Sequence, residues 1–421
     1  METNVLYDLI GRVELPRVYR IRQIFDGNCV KSISDEISRQ FSCPWVLKNI
    51  RPGMKVAVTA GSRGINHIVQ ILREIVSNLR RLGADPYIVT AMGSHGGATT
   101  QGQMELLAKL GITPATVNAP ILADMEVEML GKIGENVPVC FSKDALRADA
   151  TVLVGRIKPH TAFHGDIESG LVKMSVIGLG KQKGAESFHS LGTENMSANI
   201  VEMGKVVLEK SNIAMGIAIM ENAYDETCII EAIPPENLIP REIELLKTAR
   251  GKMPRIKPGP LDVLVVDEIG KNISGDGADP NITGRFYAPS AENEIAPQRL
   301  VYLDLTDESH GNAMGVGVAD FITQRLMDKI DRESMYMNAV TNCTLAPAKI
   351  PLVMPDARMA VQAAIRTCIN ADRTNIRLAR IKNTLNLEEI FVTQSLLENI
   401  REKEDMQILD GPLPLAPDIS W

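Results

Sequence analysis

The chain has 421 residues, a formal net charge of −7, 45% hydrophobic residues and 23% charged residues. That balance belongs to a folded globular chain of two or more domains and excludes a disordered or fibrous one. The acidic balance and an aromatic content of 4% also exclude an ordinary nucleic-acid binder, which needs a basic face and stacking rings.

No apolar run reaches the roughly 18 residues of a membrane span. The opening METNVLYDLIGRVELP carries acids where a secretion signal would carry bases, so the cytoplasm is the expected location and no membrane partner is expected. The six cysteines are far apart, form no CxxC pair, and read as reduced, mostly buried thiols.

Residues 1–50 read as a β-rich lead-in (Val13, Leu15, Val18, Ile21) followed by a helix near Ser34–Gln40. Lys55-Val-Ala-Val-Thr is a buried strand leading to Gly61-Ser-Arg-Gly64, and a helix with apolar residues at helical spacing covers 65–82, with Gly83 stopping it. Pro86-Tyr-Ile-Val-Thr is the next strand, Gly93-Ser-His-Gly-Gly97 follows it, and Thr99 or Thr100 caps a helix running to Leu110. Strand, glycine loop and helix, repeated, predict a parallel sheet whose loops gather ligands at the carboxyl ends of the strands. Another strand spans 151–155, a long loop with few helix signals spans 156–184, a helix covers 196–209 and a strand 213–219. Six prolines between Pro234 and Pro260 surround one helix (241–250) and place a boundary there, giving domains 1–258 and 259–421. Beyond it the α/β pattern resumes, with strands at 261–267 and 300–305, helices at 318–329 and 357–368, and short strands at 376–381 and 390–392. The expected architecture is α/β: two domains, each a mostly parallel sheet flanked by helices, with a site in the cleft between them.

Five of the six histidines (His67, His95, His160, His164, His189) fall within residues 67–189. His67 reads as a helix-surface residue and His310 as a loop residue. His95, between glycines just after a strand, is harder to explain structurally. His160 and His164 have the H-x3-H spacing of a zinc site, with no third ligand at a familiar offset. Gly178-x-Gly180-x-x-x-Gly184 is one residue too long for a dinucleotide fingerprint and lacks its following acid. Glycine, arginine, lysine and histidine gathered in four stretches (61–64, 93–97, 158–173 and 178–189) make a set suited to anion binding, proton transfer and metal coordination.

Together, the strand–GSRG–helix, the GSHGG loop, the PH…G…SG…K stretch of residues 158–173 and the distal His189 resemble the nickel-dependent lactate racemase family. That family racemises or epimerises 2-hydroxy acids by hydride transfer to a nickel-pincer nucleotide. Specific motifs cover roughly residues 50–200. The resemblance implies that Lys173 tethers the cofactor and that His189, sixteen residues on, completes the nickel coordination. It implies His95 as the first catalytic histidine and His160 as the second, with His164 competing. It places Gly61, Ser62, Arg63, Gly178 and Gly180 at the cofactor. Arg63, with Lys271 or Arg285 from the second domain, would hold a substrate carboxylate or cofactor phosphate. Because that cofactor needs dedicated biosynthesis, the protein is also expected in a form without it.

Two departures bear on substrate. Ala60 stands where the family commonly has an acid, and a Tyr-Gln…Lys stretch is replaced by the polar segment Lys271–Arg285. Together they speak against lactate itself, and the second favours a more hydroxylated or acidic 2-hydroxy acid, such as a sugar acid. Competing readings are a zinc hydrolase using His95, His160, His164 and Asp166, and a non-catalytic binder of a nickel cofactor or sugar acid. A small-molecule partner is expected, and a homo-oligomer is compatible with the sequence.

Overall fold

The computed structural model describes residues 5–134, 136–192, 195–287, 296–341, 344–398, 400 and 403–415. The chain divides into two compact units, Asp26–Met253 and an outer unit made of Met1–Phe25 with Pro254–Trp421. The second crossing falls close to the proline-rich boundary. The first was not anticipated: β1 (Arg17–Gln23) pairs with a strand near the other end of the chain, Val18 facing Thr393, so the lead-in joins the C-terminal half. Its buried β-branched residues, Val18 and Ile21, suit a strand but carry no sign of its partner.

The inner unit is built on a six-stranded sheet. It contains β2 (Lys55–Ala60), β3 (Asp85–Thr90), β4 (Ile121–Leu122), β7 (Ala150–Arg156), β8 (Ile213–Glu221) and β9 (Thr227–Ile233), in the order β4-β3-β2-β7-β8-β9. All pairs are parallel except β8–β9. A separate hairpin, β5 (Val127–Ile133) and β6 (Val137–Ser142), was not read from the sequence. Both faces of the sheet are covered, which is why its strands are near-continuous apolar runs. Val56, Val58 and Ala60 point into one core with the helices at Ile33–Phe41 and Ile68–Arg81, while Ala57 points into the other with the helix at Met196–Lys210.

The expected helix at 65–82 begins later, at Ile68, because His67 takes a left-handed backbone (φ 58) just before it. The loop expected over 156–184 is also corrected. Leu171–Lys173 is helical, Met174–Gly178 continues as a π turn, and Lys181–His189 is a helix. Glycines that look like loop signals are here used for close packing: a Cβ on Gly180 would lie 2.2 Å from the Val176 carbonyl, and one on Gly178 would lie 2.7 Å from that of Ala91.

The outer unit has an eight-stranded sheet. Its other members are β10 (Val263–Val266), β11 (Arg299–Tyr302), β12 (Phe321–Thr323), β13 (Leu352–Met354), β14 (Leu378–Ile381), β15 (Glu389–Thr393) and β16 (Met406–Pro414), in the order β13-β12-β11-β10-β14-β15-β1-β16. The run from β13 to β14 is parallel, and β15, β1 and β16 are antiparallel. The helix expected at 318–329 is split. Phe321-Ile-Thr is a fully buried strand, and only Gln324–Lys329 is helical. A short apolar run of this kind does not distinguish strand from helix by periodicity. The architecture is thus α/β, with parallel-rich sheets flanked by helices. Among the described residues no helix is long and apolar enough to cross a membrane. Of the five described cysteines, all unpaired, only Cys140 and Cys368 are buried.

Candidate functional site

β3, β2 and β7 are adjacent and parallel, so the loops following them leave the same edge of the sheet. These loops carry Gly61-Ser62-Arg63, the His95 loop and the long segment containing His160, His164 and Lys173. Ser62 Oγ lies 2.5 Å from His95 Nδ1, joining the first two loops directly.

Lys173 is seated by its neighbours in the helical turn. Met174 reaches the ends of β2 and β7: its sulfur accepts a hydrogen bond from Thr59 Oγ1 at 3.1 Å, and its methyl lies against Gly61 and Gly155. The amides of Leu171 and Val172 donate to Glu242 Oε2 at 2.8 and 3.0 Å. Glu242 is buried, and burial pushes its carboxyl up to about 7 despite those two bonds. Its other oxygen has no hydrogen-bond partner among the described residues and faces Gly170. Lys173 Nζ stands 5.9 Å from the centre of the Phe163 ring, whose centroid is 4.4 Å from that of His160.

The electrostatics of the histidines follow from this placement. His95 is exposed at its surface while its surroundings are crowded; desolvation, then Arg63, Lys173 and His189, push it down to about 4, and solvent at the exposed edge tempers the size of that shift without changing its direction. Burial, then Lys173, Lys158, Arg63 and His164, hold His160 well below its ordinary range. His189 is lowered by burial and then by Lys173. Three imidazoles are therefore neutral at physiological pH, close to cations that favour an anionic ligand. His189 ends its helix with its ring and that of Phe188 in an edge-to-face arrangement, and the imidazole has no hydrogen-bond partner among the described residues.

The segment between His160 and Gly170 is organised by Glu168, whose importance the sequence did not reveal. This buried carboxylate accepts from the His160 amide (2.6 Å), the Gly165 amide (3.0 Å), His164 Nδ1 (3.2 Å) and Arg250 (2.5 Å). Burial alone would raise its pKa, but these bonds outweigh burial and hold it below the usual carboxylate value. The histidine nitrogens are then differentiated. His160 Nδ1 accepts the Ala162 amide at 3.0 Å, so the proton of neutral His160 is on Nε2. His164 Nδ1 faces a carboxylate, so that nitrogen carries a proton, and in the neutral ring the lone pair is on Nε2.

The inner unit thus brings together Ser62, Arg63, His95, His160, His164, Lys173 and His189. Gly61 gives Met174 room, while Gly178 and Gly180 are buried and packed against backbone. His67 is exposed, and His310 belongs to the outer unit. Lys271 and Arg285 also belong to the outer unit. Lys271 Nζ donates to the Gly275 carbonyl at 2.6 Å. Arg285 spends its guanidinium on structure, donating to the carbonyls of Pro297 and Gln298 and to the Asp320 carboxylate. No group of three or more His, Cys, Asp or Glu side chains suited to a metal exists among the described residues, so the H-x3-H spacing does not mature into a zinc cluster there. The donor set fits a metal group that brings most of its own ligands: one lysine, one hydrogen-bond-free neutral histidine, and nearby cations for a phosphate.

A family model described as a domain of unknown function, DUF362, matches residues 53–229, the stretch that carries this site. No functionally curated protein matches the chain in sequence. Among solved structures, the chain is similar to a Thermotoga maritima protein at 12% identity and a TM-score of 0.48, covering 89% of this chain and 94% of that one. It is also similar to the lactate racemase apoprotein from Thermoanaerobacterium thermosaccharolyticum, at 14% identity and a TM-score of 0.56, covering 88% of this chain and 99% of that one. The fold of this protein is therefore a lactate-racemase-like α/β fold.

Proposed function

We propose that this protein is an isomerase that inverts C2 of a 2-hydroxy acid, acting with a nickel-pincer nucleotide tethered to Lys173. The observation that carries the reading is the placement of Lys173 within electrostatic reach of His95, His160 and His189, all held neutral. Lys173 would hold the group covalently, His189 would complete its metal coordination, and Arg63 would face a phosphate or carboxylate. When bound, the group supplies a hydride acceptor.

Hydride loss suits this substrate, because proton loss from a carbon beside a carboxylate gives a strongly disfavoured carbanion, whereas hydride loss gives a 2-oxo acid. As the hydride leaves C2, the hydroxyl proton must pass to a base, and the two configurations need bases in different places. His95 is suited to one of them: in the tautomer whose Nδ1–H donates to Ser62 Oγ, its Nε2 carries the lone pair. The tautomers support His164 as the second base, backed by Glu168. They support His160 as an Nε2–H donor that orients a substrate oxygen.

The test is inversion of C2-deuterated 2-hydroxy acids by protein produced together with the cofactor pathway, read by chiral separation. The label should survive turnover, and intact mass should show an adduct that Lys173→Ala lacks. Rapid exchange of the label with solvent, or an unchanged adduct in the variant, refutes the reading.

A further inference from the structure

Lys181 has no part in that mechanism, yet it is fully buried and adopts a left-handed backbone (φ 55). Burying a lysine is costly unless its ammonium is well used. Its Nζ donates at 2.7 Å to both the carbonyl and Oγ1 of Thr90, the last residue of β3. Thr90 Oγ1 in turn donates to Gln103 Oε1 at 2.7 Å. Gln103 Nε2 then donates to the carbonyls of Gly93 (2.9 Å) and His95 (3.3 Å). Thr90 and Gln103 are fully buried as well. A second tie runs from the Gly93 amide to the carbonyl of Gly178, three residues before Lys181.

We propose that Lys181 is a positioning residue for His95, holding the loop that carries it through the buried chain Thr90–Gln103. The chain fixes backbone carbonyls on both sides of Ser94, so it sets where the imidazole stands relative to Ser62 without touching the ring. A buried network whose members are all paired defines one conformation in this way. The polar ends explain the lysine: its donors meet two acceptors of Thr90 and turn the threonine hydroxyl toward Gln103, which fixes the glutamine's amide orientation. Burial lowers the amine to about 8, which still leaves most of it protonated at neutral pH. The inference rests on the proposed function only in treating His95 as a base; the positioning itself can be tested without cofactor.

The experiment uses the full chain without cofactor and diethylpyrocarbonate as the probe, with carbethoxylation at each histidine followed by peptide mass spectrometry. The exposed His67 and His310 are internal controls. Lys181→Met and Thr90→Val should each raise the His95 rate about fivefold, as expected for freeing a locally held loop, and leave the controls unchanged. The pH profile of the reaction should move the His95 midpoint upward toward the ordinary 6.5 in both variants, a change that general loss of stability would not produce in folded protein. An unchanged His95 rate and midpoint in folded Lys181→Met overturns the proposal, as does an unchanged Thr90→Val. If Lys181→Met does not fold, Thr90→Val decides alone. Retained inversion by a loaded His95→Gln enzyme would refute the catalytic reading while leaving the positioning result intact.

Discussion

Replacing Glu168 by glutamine tests the organisation of the His160–His164 segment most directly. The carboxylate accepts four donors, three on Oε1 (His164, Gly165, Arg250) and one on Oε2 (His160). A glutamine amide keeps three of them by placing its oxygen at Oε1. Its NH2 group then meets the His160 amide, donor against donor, in a buried position. Leaving these groups unpaired costs about 1–3 kcal/mol. The lost charge adds little, because Arg250 is 40% exposed and such pairs contribute at most about 1 kcal/mol. The expected loss is therefore about 1–4 kcal/mol, read by urea unfolding at pH 7. The pH dependence gives an independent check. The folded pKa of Glu168 lies below its ordinary 4.5, so the stability it contributes is fully present above that value. It is lost as pH falls through the folded value, and the difference between wild type and Glu168→Gln should shrink there. Equal stability at pH 7, or a difference that ignores pH, would refute the role assigned to this carboxylate.

Three further outcomes are expected. Ser62→Ala removes the partner of His95 Nδ1 and should lower the inversion kcat about five- to tenfold, the equivalent of one hydrogen bond, with little change in KM; an unchanged kcat would show that Ser62 does not orient His95. Gly170→Ala places a Cβ 2.2 Å from Glu242 Oε1 on extended backbone that tolerates any residue, so its cost is purely steric, about 1–3 kcal/mol by chemical denaturation; wild-type stability would mean that Glu242 can give way. Arg285→Lys replaces the planar fork that reaches two carbonyls and a carboxylate by a single point of donors and should lose about 1.5–3 kcal/mol of stability. A raised KM at full stability would instead make Arg285 a substrate ligand.

The strand–loop–helix repeats around β2 and β3 were legible because both elements are local and their patterns strong. Thr99 is a capping residue, as expected, its side chain accepting the Gly102 amide. What escaped was set by distance along the chain: the pairing of β1 with β15, the hairpin β5–β6 lying outside the main sheet, and Phe321–Thr323 as a strand. The residues of the proposed site were all visible as unusual residues in unusual places. Their supports were not. Glu168 is one acid among 52 Asp and Glu residues, and Glu242 lies in an ordinary amphipathic helix. Nothing local marks either as buried, because burial is conferred by elements tens of residues away.

The insertion of residues 26–253 within the outer unit has a consequence for biosynthesis. A ribosome releases β1 first, then the whole inner unit, and only much later β15 and β16, which β1 needs on either side. The inner unit can complete its own core during that interval, and its two ends are already fastened by the ion pair between Asp26 and Lys252 at 2.9 Å. A nascent chain whose first 253 residues have cleared the ribosome would therefore display a finished set of histidines beside Lys173 while its first strand still lacked a sheet.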